Sequence, residues 1–457
     1  MRETTVDAIR AFAEHVARSR FEDLSPDAVR AAKVYTLDSY GVGLAGSAGP
    51  WVAELIACQQ GWGGGEQARV WVSGARLPAP AAAMCNAYQI HNSEFDCVHE
   101  QAVVHPMAVL LAALTAFAER EGGVDGKDFL TAVALGVDVA AGLGVASKSP
   151  LKFFRPATAG GFAATAAIGK LMGFDADRLV NAFGIVYSQL CGTMQAHTEG
   201  SMLLGMQIGF NARNAVFACD MARRGLAGPQ NVLEGAFGFF KLFEGEHDLA
   251  LVLAALGKTW RIAEVAHKPF PSGRATHGVV DACMELKGAH GFAVAEIDTV
   301  EARVPSLVHR LVGRPPTDDM AVNYARLCVA FVSARALMNG FVGVDDFRPE
   351  VRTDLATLAL ARRFSVRIDD NPDPNALVPL TVEIGLKSGA RHARKLDVVY
   401  GNPAKPMSRE AHLAKFRRNW TAGSRPLPAA GCERMIALVD DLERLPDMRL
   451  LVDLIAP

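Results

Sequence analysis

Residues 130–146 read LTAVALGVDVAAGLGVA, and this stretch decides the fold class that the sequence predicts. It is the longest apolar run in the chain, but Asp138 interrupts it. A helix that crosses a bilayer needs roughly 20 predominantly apolar residues, so the run indicates a helix buried inside the protein. Alanine and glycine crowd residues 127–172, and small side chains let helix backbones approach closely. The stretch therefore predicts the middle of a helical bundle.

Helical patterns also occur before and after this stretch. Ser25 places a capping hydroxyl before Pro26 at a first helical position, and apolar periodicity follows to about Gly46. A further helix is predicted from about Asp319 to Asn339. Strand-like alternation occurs at residues 299–304, 364–368, 378–386 and 391–398.

These patterns predict a mainly α protein with two domains. A large all-helical domain formed by both ends of the chain is expected to comprise residues 1–261 and 406–457. A smaller α+β lid domain is expected to comprise residues 262–405.

Composition excludes several classes of function. The 457 residues carry a formal net charge of -2, so neither a nucleic acid nor a membrane is expected as a partner. Eight cysteines without a CxxC pair are typical of a reducing compartment, and Arg2 and Glu3 interrupt the start of any signal peptide. We therefore predict a cytoplasmic protein. Half of the residues are hydrophobic, and this excess favours a homodimer.

The chemistry is expected in the segment from residue 91 to residue 105. It contains three histidines and two carboxylates, namely His91, Glu94, Asp96, His99 and His105. His105 precedes Pro106, which predicts a helix start where the helix dipole favours a neutral imidazole that can accept a proton. Glu94 or Asp96 could orient this imidazole or act as the base. A purely structural role remains open, as does a metal site formed by His91, His99 and His105.

A second cluster spans residues 267–277. Ser272 is predicted to cap a helix that begins at Gly273, and the free N–H groups of such a helix start bind anions. Lys268 and Arg274 add positive charge, which suits a substrate that carries carboxylates, and His277 lies about one turn further on. A solvated basic stretch at a domain boundary is the alternative. Arg155, between aromatic residues and a proline, is a further candidate to hold a carboxylate.

These motifs resemble the MmgE/PrpD superfamily, whose members include dehydratases, decarboxylases and epimerases of small polycarboxylic acids. The resemblance rests on residues 91–106 and 268–282, together with Glu199-Gly200-Ser201 and the segment 225–235. It implies a large helical domain, a smaller lid domain, a cleft between them, a homodimer, and chemistry without an organic cofactor or a metal.

The chain departs from the resembling members at several positions. Dehydratase-like and decarboxylase-like members carry a histidine where this chain has Arg155. They carry a lysine in the segment that contains Leu204, and a tyrosine where this chain has Phe331. Their first acidic residue is usually aspartate, whereas this chain has Glu94. The substrates of those members are therefore not transferred to this chain.

The predicted reaction removes a proton next to a carboxylate of a small polycarboxylic acid, and the resemblance implies a lyase. His105 is the expected base, with Glu94 or Asp96 behind it, and His277 is the expected acid; His99 belongs to the same predicted catalytic set. The expected contacts with substrate come from Lys268, Arg274, Arg155, Asn92 and Ser272. An epimerase or isomerase, a decarboxylase, a metal-dependent enzyme and a non-catalytic carboxylate-binding protein remain alternatives.

Overall fold

The computed structural model describes residues 6–457, and residues 1–5 of the predicted helical domain lie outside the described residues. Up to residue 261 the chain is helical. The helices are α1 (Ile9–Arg18), α2 (Pro26–Gly46), α3 (Val52–Trp62), α4 (Ala79–His91), α5 (Pro106–Glu121), α6 (Gly126–Ala146), α7 (Arg155–Leu171), α8 (Ala176–Tyr187), α9 (Gln195–Glu199), α10 (Leu203–Arg223) and α11 (Ala250–Ala255).

Helix α6 contains the deciding stretch and lies in the core. It is long and apolar enough to cross a membrane, yet 94% of its most apolar window is buried inside the molecule. Asp138 has partners within the protein, since its Oδ2 lies 3.0 Å from His15 Nε2 and its Oδ1 accepts the N–H of Arg261. A buried carboxylate is tolerated when it is hydrogen-bonded in this way.

Glycine in α6 permits the close packing that the sequence predicted. A Cβ atom on Gly136 would lie 2.6 Å from Leu110 Cδ1, in α5, and 2.9 Å from the carbonyl oxygen of Ala163, in α7. These contacts are too short for any larger residue. Helices α5, α6 and α7 thus pack closely together at Gly136.

The first part of the chain also contains a small antiparallel hairpin, β1 (Ala68–Arg69) and β2 (Arg76–Leu77). The prediction of an all-helical region was wrong here. Strands of two residues are too short to show the alternation by which a strand is recognised.

The later part of the chain mixes helices and strands. The elements are α12 (Arg274–His290), β3 (Ile297–Val304), α13 (Ser306–Val312), α14 (Val322–Arg326), α15 (Val329–Asn339), α16 (Pro349–Arg352), α17 (Leu355–Ala361), β4 (Phe364–Ile368), β5 (Leu380–Leu386) and β6 (Arg391–Leu396). The sheet order is β4-β3-β5-β6, with β3 and β4 parallel and the other pairs antiparallel. All four strands begin within two residues of the predicted positions.

The helix predicted over residues 319–339 is interrupted in the structure. Cys328 has an extended backbone, pairs with Gly313 as an isolated bridge, and separates α14 from α15. The interruption matters because it turns the neighbouring Leu327 toward a cavity described below.

The end of the chain returns to the first helices. Helices α18 (Arg409–Thr421) and α19 (Ala429–Asp440) pack on α2, and α20 (Arg449–Ile455) packs on α5. The described chain is therefore mainly α with a small sheet. The division into two domains at residues 262 and 405 stays a prediction.

Candidate active site

The loop between α4 and α5 carries the predicted chemistry. His91 is the last residue of α4, and His105 is the N-cap before Pro106 at the start of α5, as the sequence predicted. Glu94 has φ of 54°, a left-handed conformation that few non-glycine residues adopt. Such strain costs on the order of 1–3 kcal/mol and persists where surrounding contacts fix the residue.

Asp96 lies at the centre of this loop. Its Oδ2 is 3.0 Å from His91 Nδ1 and 3.3 Å from His105 Nδ1. Lys268 precedes α12 in the chain, and its Nζ lies 2.9 Å from Glu94 Oε2 and 3.8 Å from Asp96 Oδ1. We call these five residues, His91, Glu94, Asp96, His105 and Lys268, the loop cluster. The structure thus brings together four residues of the predicted set, with His91 beside them.

Charges within the loop cluster shift its pKa values. Burial opposes ionisation of Glu94, but Lys268 and the histidines outweigh it and lower the pKa of Glu94 to about 2. The same balance holds the pKa of Asp96 well below its ordinary value. Burial would lower the pKa of His91, but the two carboxylates raise it overall. Both carboxylates are therefore ionised at neutral pH.

His105 is the group of this cluster that is suited to accept a proton. Burial and the nearby Lys268 lower its pKa, against the opposing effect of Asp96. A neutral imidazole whose Nδ1–H faces Asp96 keeps Nε2 as an acceptor. The side chain of His105 is 12% exposed, whereas that of His91 is 1% exposed.

His105 opens onto a cavity of about 70 Å³, which we call the histidine cavity. Its polar lining residues are Glu94, Glu100, His105, His197 and Arg274. The other lining residues are mainly apolar and include Leu151, Phe154, Met194, Leu204, Leu311, Val312, Leu327 and Leu377. The arrangement is a proton acceptor in a small cavity whose wall is mainly apolar.

His197 is a cavity residue that the sequence analysis did not single out. It lies in α9, two residues before Glu199-Gly200-Ser201, which carried part of the family resemblance. Burial and the neighbouring Arg314 lower the pKa of His197 to about 4, so it is neutral at physiological pH. Its Nδ1 lies 3.4 Å from Arg314 Nη2. The resemblance of the adjacent residues was the only sequence signal for this histidine.

The start of α12 lines the histidine cavity with Gly273, Arg274 and Ala275. The predicted cap is wrong, because Gly273 occupies the N-cap position and the Ser272 hydroxyl pairs with Thr276 Oγ1 at 2.8 Å. Arg274 is less available than predicted, since it donates to Glu100 and to the carbonyl oxygens of His267, Val399 and Tyr400. The backbone N–H groups of the first turn are the remaining donors.

The contacts of His277 do not favour the role predicted for it. Its Nε2 lies 3.3 Å from the carbonyl oxygen of Ser272, and its Nδ1 lies 3.4 Å from Arg274 Nη1. Burial and Arg274 hold the pKa of His277 well below its ordinary value. It lies outside the lining of the histidine cavity. The role of the opposing acid stays a prediction.

His99 and Asn92 also differ from prediction. His99 Nε2 lies 2.9 Å from Glu264 Oε2, and His99 Nδ1 accepts the N–H of Ala102, so this imidazole is a structural connector. Asn92 Nδ2 donates to the carbonyl oxygen of Gly46, and Asn92 lines a second cavity on the other side of the loop. Sequence spacing could not reveal which face of the loop each side chain takes.

The replaced family positions give two further corrections. Arg155 is fully buried and donates to Glu244 from Nε and Nη2, and to the carbonyl oxygen of Ala102 from Nη1, so it does not hold substrate. Phe331 packs against Phe347 in the core, 6.1 Å between ring centroids. The break between α14 and α15 instead places Leu327 at the cavity, beside Leu204.

His91, Asp96 and His105 offer ligand atoms within 4.8 Å of one another, which is a spacing that a metal ion could use. The predicted set of three histidines is not formed, because His99 pairs with Glu264. Lys268 already places a positive charge 3.8 Å from Asp96 Oδ1, and a second cation there would be repelled.

The fold and the loop cluster define a helical enzyme-like protein with a buried acid–histidine site, and comparison with known proteins identifies its family. Residues 10–252 match the MmgE/PrpD N-terminal domain, and residues 270–441 match the MmgE/PrpD C-terminal domain. The chain belongs to the MmgE/PrpD family.

Curated relatives include three that carry the same name. The chain is 28% identical to cis-aconitate decarboxylase from Mus musculus over 97% of this chain and 92% of that protein. It is 30% identical to the Homo sapiens protein over 83% and 80%, respectively. It is 28% identical to the Aspergillus terreus protein over 95% and 93%. These relatives support an enzyme of the lyase type.

Proposed function

We propose that this protein is a cofactor-independent lyase that removes a proton next to a carboxylate of a small polycarboxylic acid. The pairing of Asp96 with His105 Nδ1 at the histidine cavity is the observation that carries the proposal. This pairing leaves Nε2 of His105 as the atom that accepts the proton. The names of the relatives, decarboxylases of cis-aconitate, agree with a lyase on a polycarboxylate.

The substrate is held by the start of α12 in this proposal. Arg274 and Ala275 lie in the first turn of α12 at the cavity, and their backbone N–H groups can donate to a carboxylate, whereas the N–H of Gly273 donates to the carbonyl oxygen of Arg326. Lys268, 2.9 Å from Glu94, offsets the negative charge that develops when a proton is removed. The enolate-like intermediate then expels a β-hydroxyl group, which takes up the proton held by His105 and leaves as water. In the decarboxylase alternative no proton is removed first: the bond to the carboxyl group breaks, its electron pair passes into the conjugated acid, and carbon then takes up a proton.

The apolar lining of the histidine cavity further restricts the class of substrate. Leu204 and Leu327 belong to the apolar lining of the cavity onto which His105 opens, so part of the substrate meets no charged partner. Burying a carboxylate against such a wall is costly. We therefore propose an acid with its carboxylates at one end and an apolar face at the other. A homodimer and a cytoplasmic location remain parts of the proposal.

Proton exchange in deuterium oxide, followed by NMR, tests the proposal with a panel of di- and tricarboxylates. We expect deuterium next to a carboxylate in the wild type, its loss in His105→Asn, and its retention in His99→Gln as the matched control. Release of carbon dioxide or of water from the same acid assigns the reaction class. Exchange at the wild-type rate in a folded His105→Asn protein would refute the assignment of the base.

A further inference from the structure

A second cavity lies behind the loop that carries Glu94 and Asp96. Its volume is about 900 Å³, and we call it the arginine cavity. It lies between the end of α2, the loop residues 92–95, the segment from residue 341 to residue 352, and the end of α18. None of the predicted proton-transfer residues lines it, so the proposed reaction does not account for it.

Four buried polar side chains that line the arginine cavity have atoms without a hydrogen-bond partner among the described residues. Three of these atoms can donate, namely Arg326 Nε, Asn419 Nδ2 and Ser93 Oγ, and the fourth, Asn92 Oδ1, is an acceptor. Arg326 is 6% exposed and Asn419 is 4% exposed. Buried donors without partners are costly in a folded protein, and a ligand that accepts from them would remove this cost. All three groups can donate to an oxygen.

The charge of the lining is strongly positive. Arg326, Arg348, Arg352 and Arg418 line the cavity, and Asp345 is the one carboxylate among its lining residues. Asp345 pairs with Arg348 at 2.7 Å. Among the described residues, no carboxylate forms an ion pair with the other three arginines. Burial lowers the pKa of Arg326 to about 10, which leaves its guanidinium charged at neutral pH.

The positions of these arginines are fixed by the protein. Arg326 Nη1 donates to the carbonyl oxygen of Asn92, and its guanidinium lies 5.5 Å from the Phe347 ring centroid. Arg352 Nε donates to the carbonyl oxygen of Phe347 at 3.1 Å. Arg418 stacks over Phe341 at 5.2 Å. Oriented guanidinium groups are the donors that best match the paired oxygens of carboxylates and phosphates.

We propose that the arginine cavity is a second ligand site, which binds a small anion carrying two or more carboxylate or phosphate groups. The ligand accepts hydrogen bonds from Arg326, Asn419 and Ser93 and neutralises Arg352 and Arg418. Because Ser93 and the Arg326 partner Asn92 directly precede Glu94, the bound anion rests against the back of the loop cluster.

Titration calorimetry with two probes tests this site. Benzene-1,3,5-tricarboxylate represents a polycarboxylate and is too large for the histidine cavity of about 70 Å³, whereas inorganic phosphate represents a phosphate source. Arg418→Glu is the test variant, since Arg418 is exposed and its replacement leaves the core intact. Arg417→Glu is the matched control, because Arg417 is the adjacent residue and pairs with Glu433 instead.

We expect at least one probe to bind the wild type once per chain, with affinity that falls as salt rises. Arg418→Glu should weaken binding by about tenfold or more, and Arg417→Glu should leave it unchanged within about twofold. The probe that binds identifies the anion source. Equal weakening in both variants, or no binding of either probe to the wild type, would overturn the proposal. Dissociation of a dimer by Arg418→Glu without anion binding would show that a second copy covers the cavity.

Discussion

Two buried clusters of this protein consist of nearly the same types of residue but have different surroundings. The loop cluster contains two carboxylates, two histidines and Lys268. The second cluster, which we call the Asp38 cluster, contains Asp38, His267, His412 and Lys415. Lys415 Nζ lies 2.8 Å from Asp38 Oδ1 and donates to the carbonyl oxygen of Phe95, within the same loop. Each lysine therefore holds the loop from one side.

The difference between the clusters lies in charge balance and access. Burial lowers the pKa of His267 to about 3 and that of His412 to about 4, against the opposing effect of Asp38. The two carboxylates of the loop cluster instead raise the pKa of His91. Only the loop cluster opens onto the histidine cavity, through His105 and Glu94. Similar residue types therefore do not by themselves identify a candidate active site. The loop cluster differs from the Asp38 cluster in having a second carboxylate and in opening onto a cavity.

The largest expected effect is that of Asp96→Asn on activity. An amide removes the negative charge 3.3 Å from His105 Nδ1 and can present an N–H group there instead, which favours the wrong imidazole tautomer. We expect kcat/KM to fall by roughly 10² to 10⁴, the range usual for general base catalysis. Steady-state kinetics on the acid identified by deuterium exchange, together with a circular dichroism spectrum, measures this. If the folded variant kept the wild-type kcat/KM, Asp96 would not take part in the reaction, and the loop cluster would not differ from the Asp38 cluster in function.

The corresponding change in the second cluster, Asp38→Asn, should affect stability instead. It leaves Lys415 buried without its carboxylate, and breaking a buried ion pair from one side typically costs about 3–5 kcal/mol. Urea unfolding measures this loss of free energy of unfolding. The folded fraction should keep kcat/KM near the wild-type value. A large loss of kcat/KM without a loss of stability would mean that the Asp38 cluster also takes part in the reaction.

Much of the fold was predictable from local patterns. The small-residue stretch of α6, the Ser25-Pro26 start of α2 and the alternation of β3 to β6 each act over a few neighbouring residues. The hairpin at residues 68–77 and the break at Cys328 were missed because they depend on distant partners. Cys328, for example, pairs with Gly313 in an isolated bridge.

The site was predictable in its composition but not in its contacts. The sequence placed His105 correctly at a helix start and grouped it with Glu94 and Asp96. It could not show that Arg155 meets Glu244, because 89 residues separate them in the chain. It also could not show that His277 Nε2 lies 3.3 Å from the carbonyl oxygen of Ser272. Pairings between distant residues decide which charged groups remain available to a substrate.

The smallest expected effect is a pH dependence of stability that has one sign for His267 and His412 of the Asp38 cluster and the opposite sign for His91 of the loop cluster. The folded-state pKa values of His267 and His412 lie below the value of about 6.5 in an unfolded chain. The unfolded state therefore binds more protons below pH ~6.5, and stability falls as pH falls toward 4. The slope is at most about 1.4 kcal/mol per pH unit for each histidine.

His91 should contribute in the opposite direction, because its folded-state pKa is raised. Its stabilising contribution is complete below about pH 6.5 and is lost as pH rises through the raised pKa. Urea unfolding between pH 4 and 8.5 compares the wild type with His412→Asn, His91→Gln and, as control, the exposed His290→Asn. We expect His412→Asn to reduce the change of the free energy of unfolding with pH on the acid side. We expect His91→Gln to reduce this change on the alkaline side. If both variants change the same side, the two clusters are electrostatically alike, and the cavity alone distinguishes them.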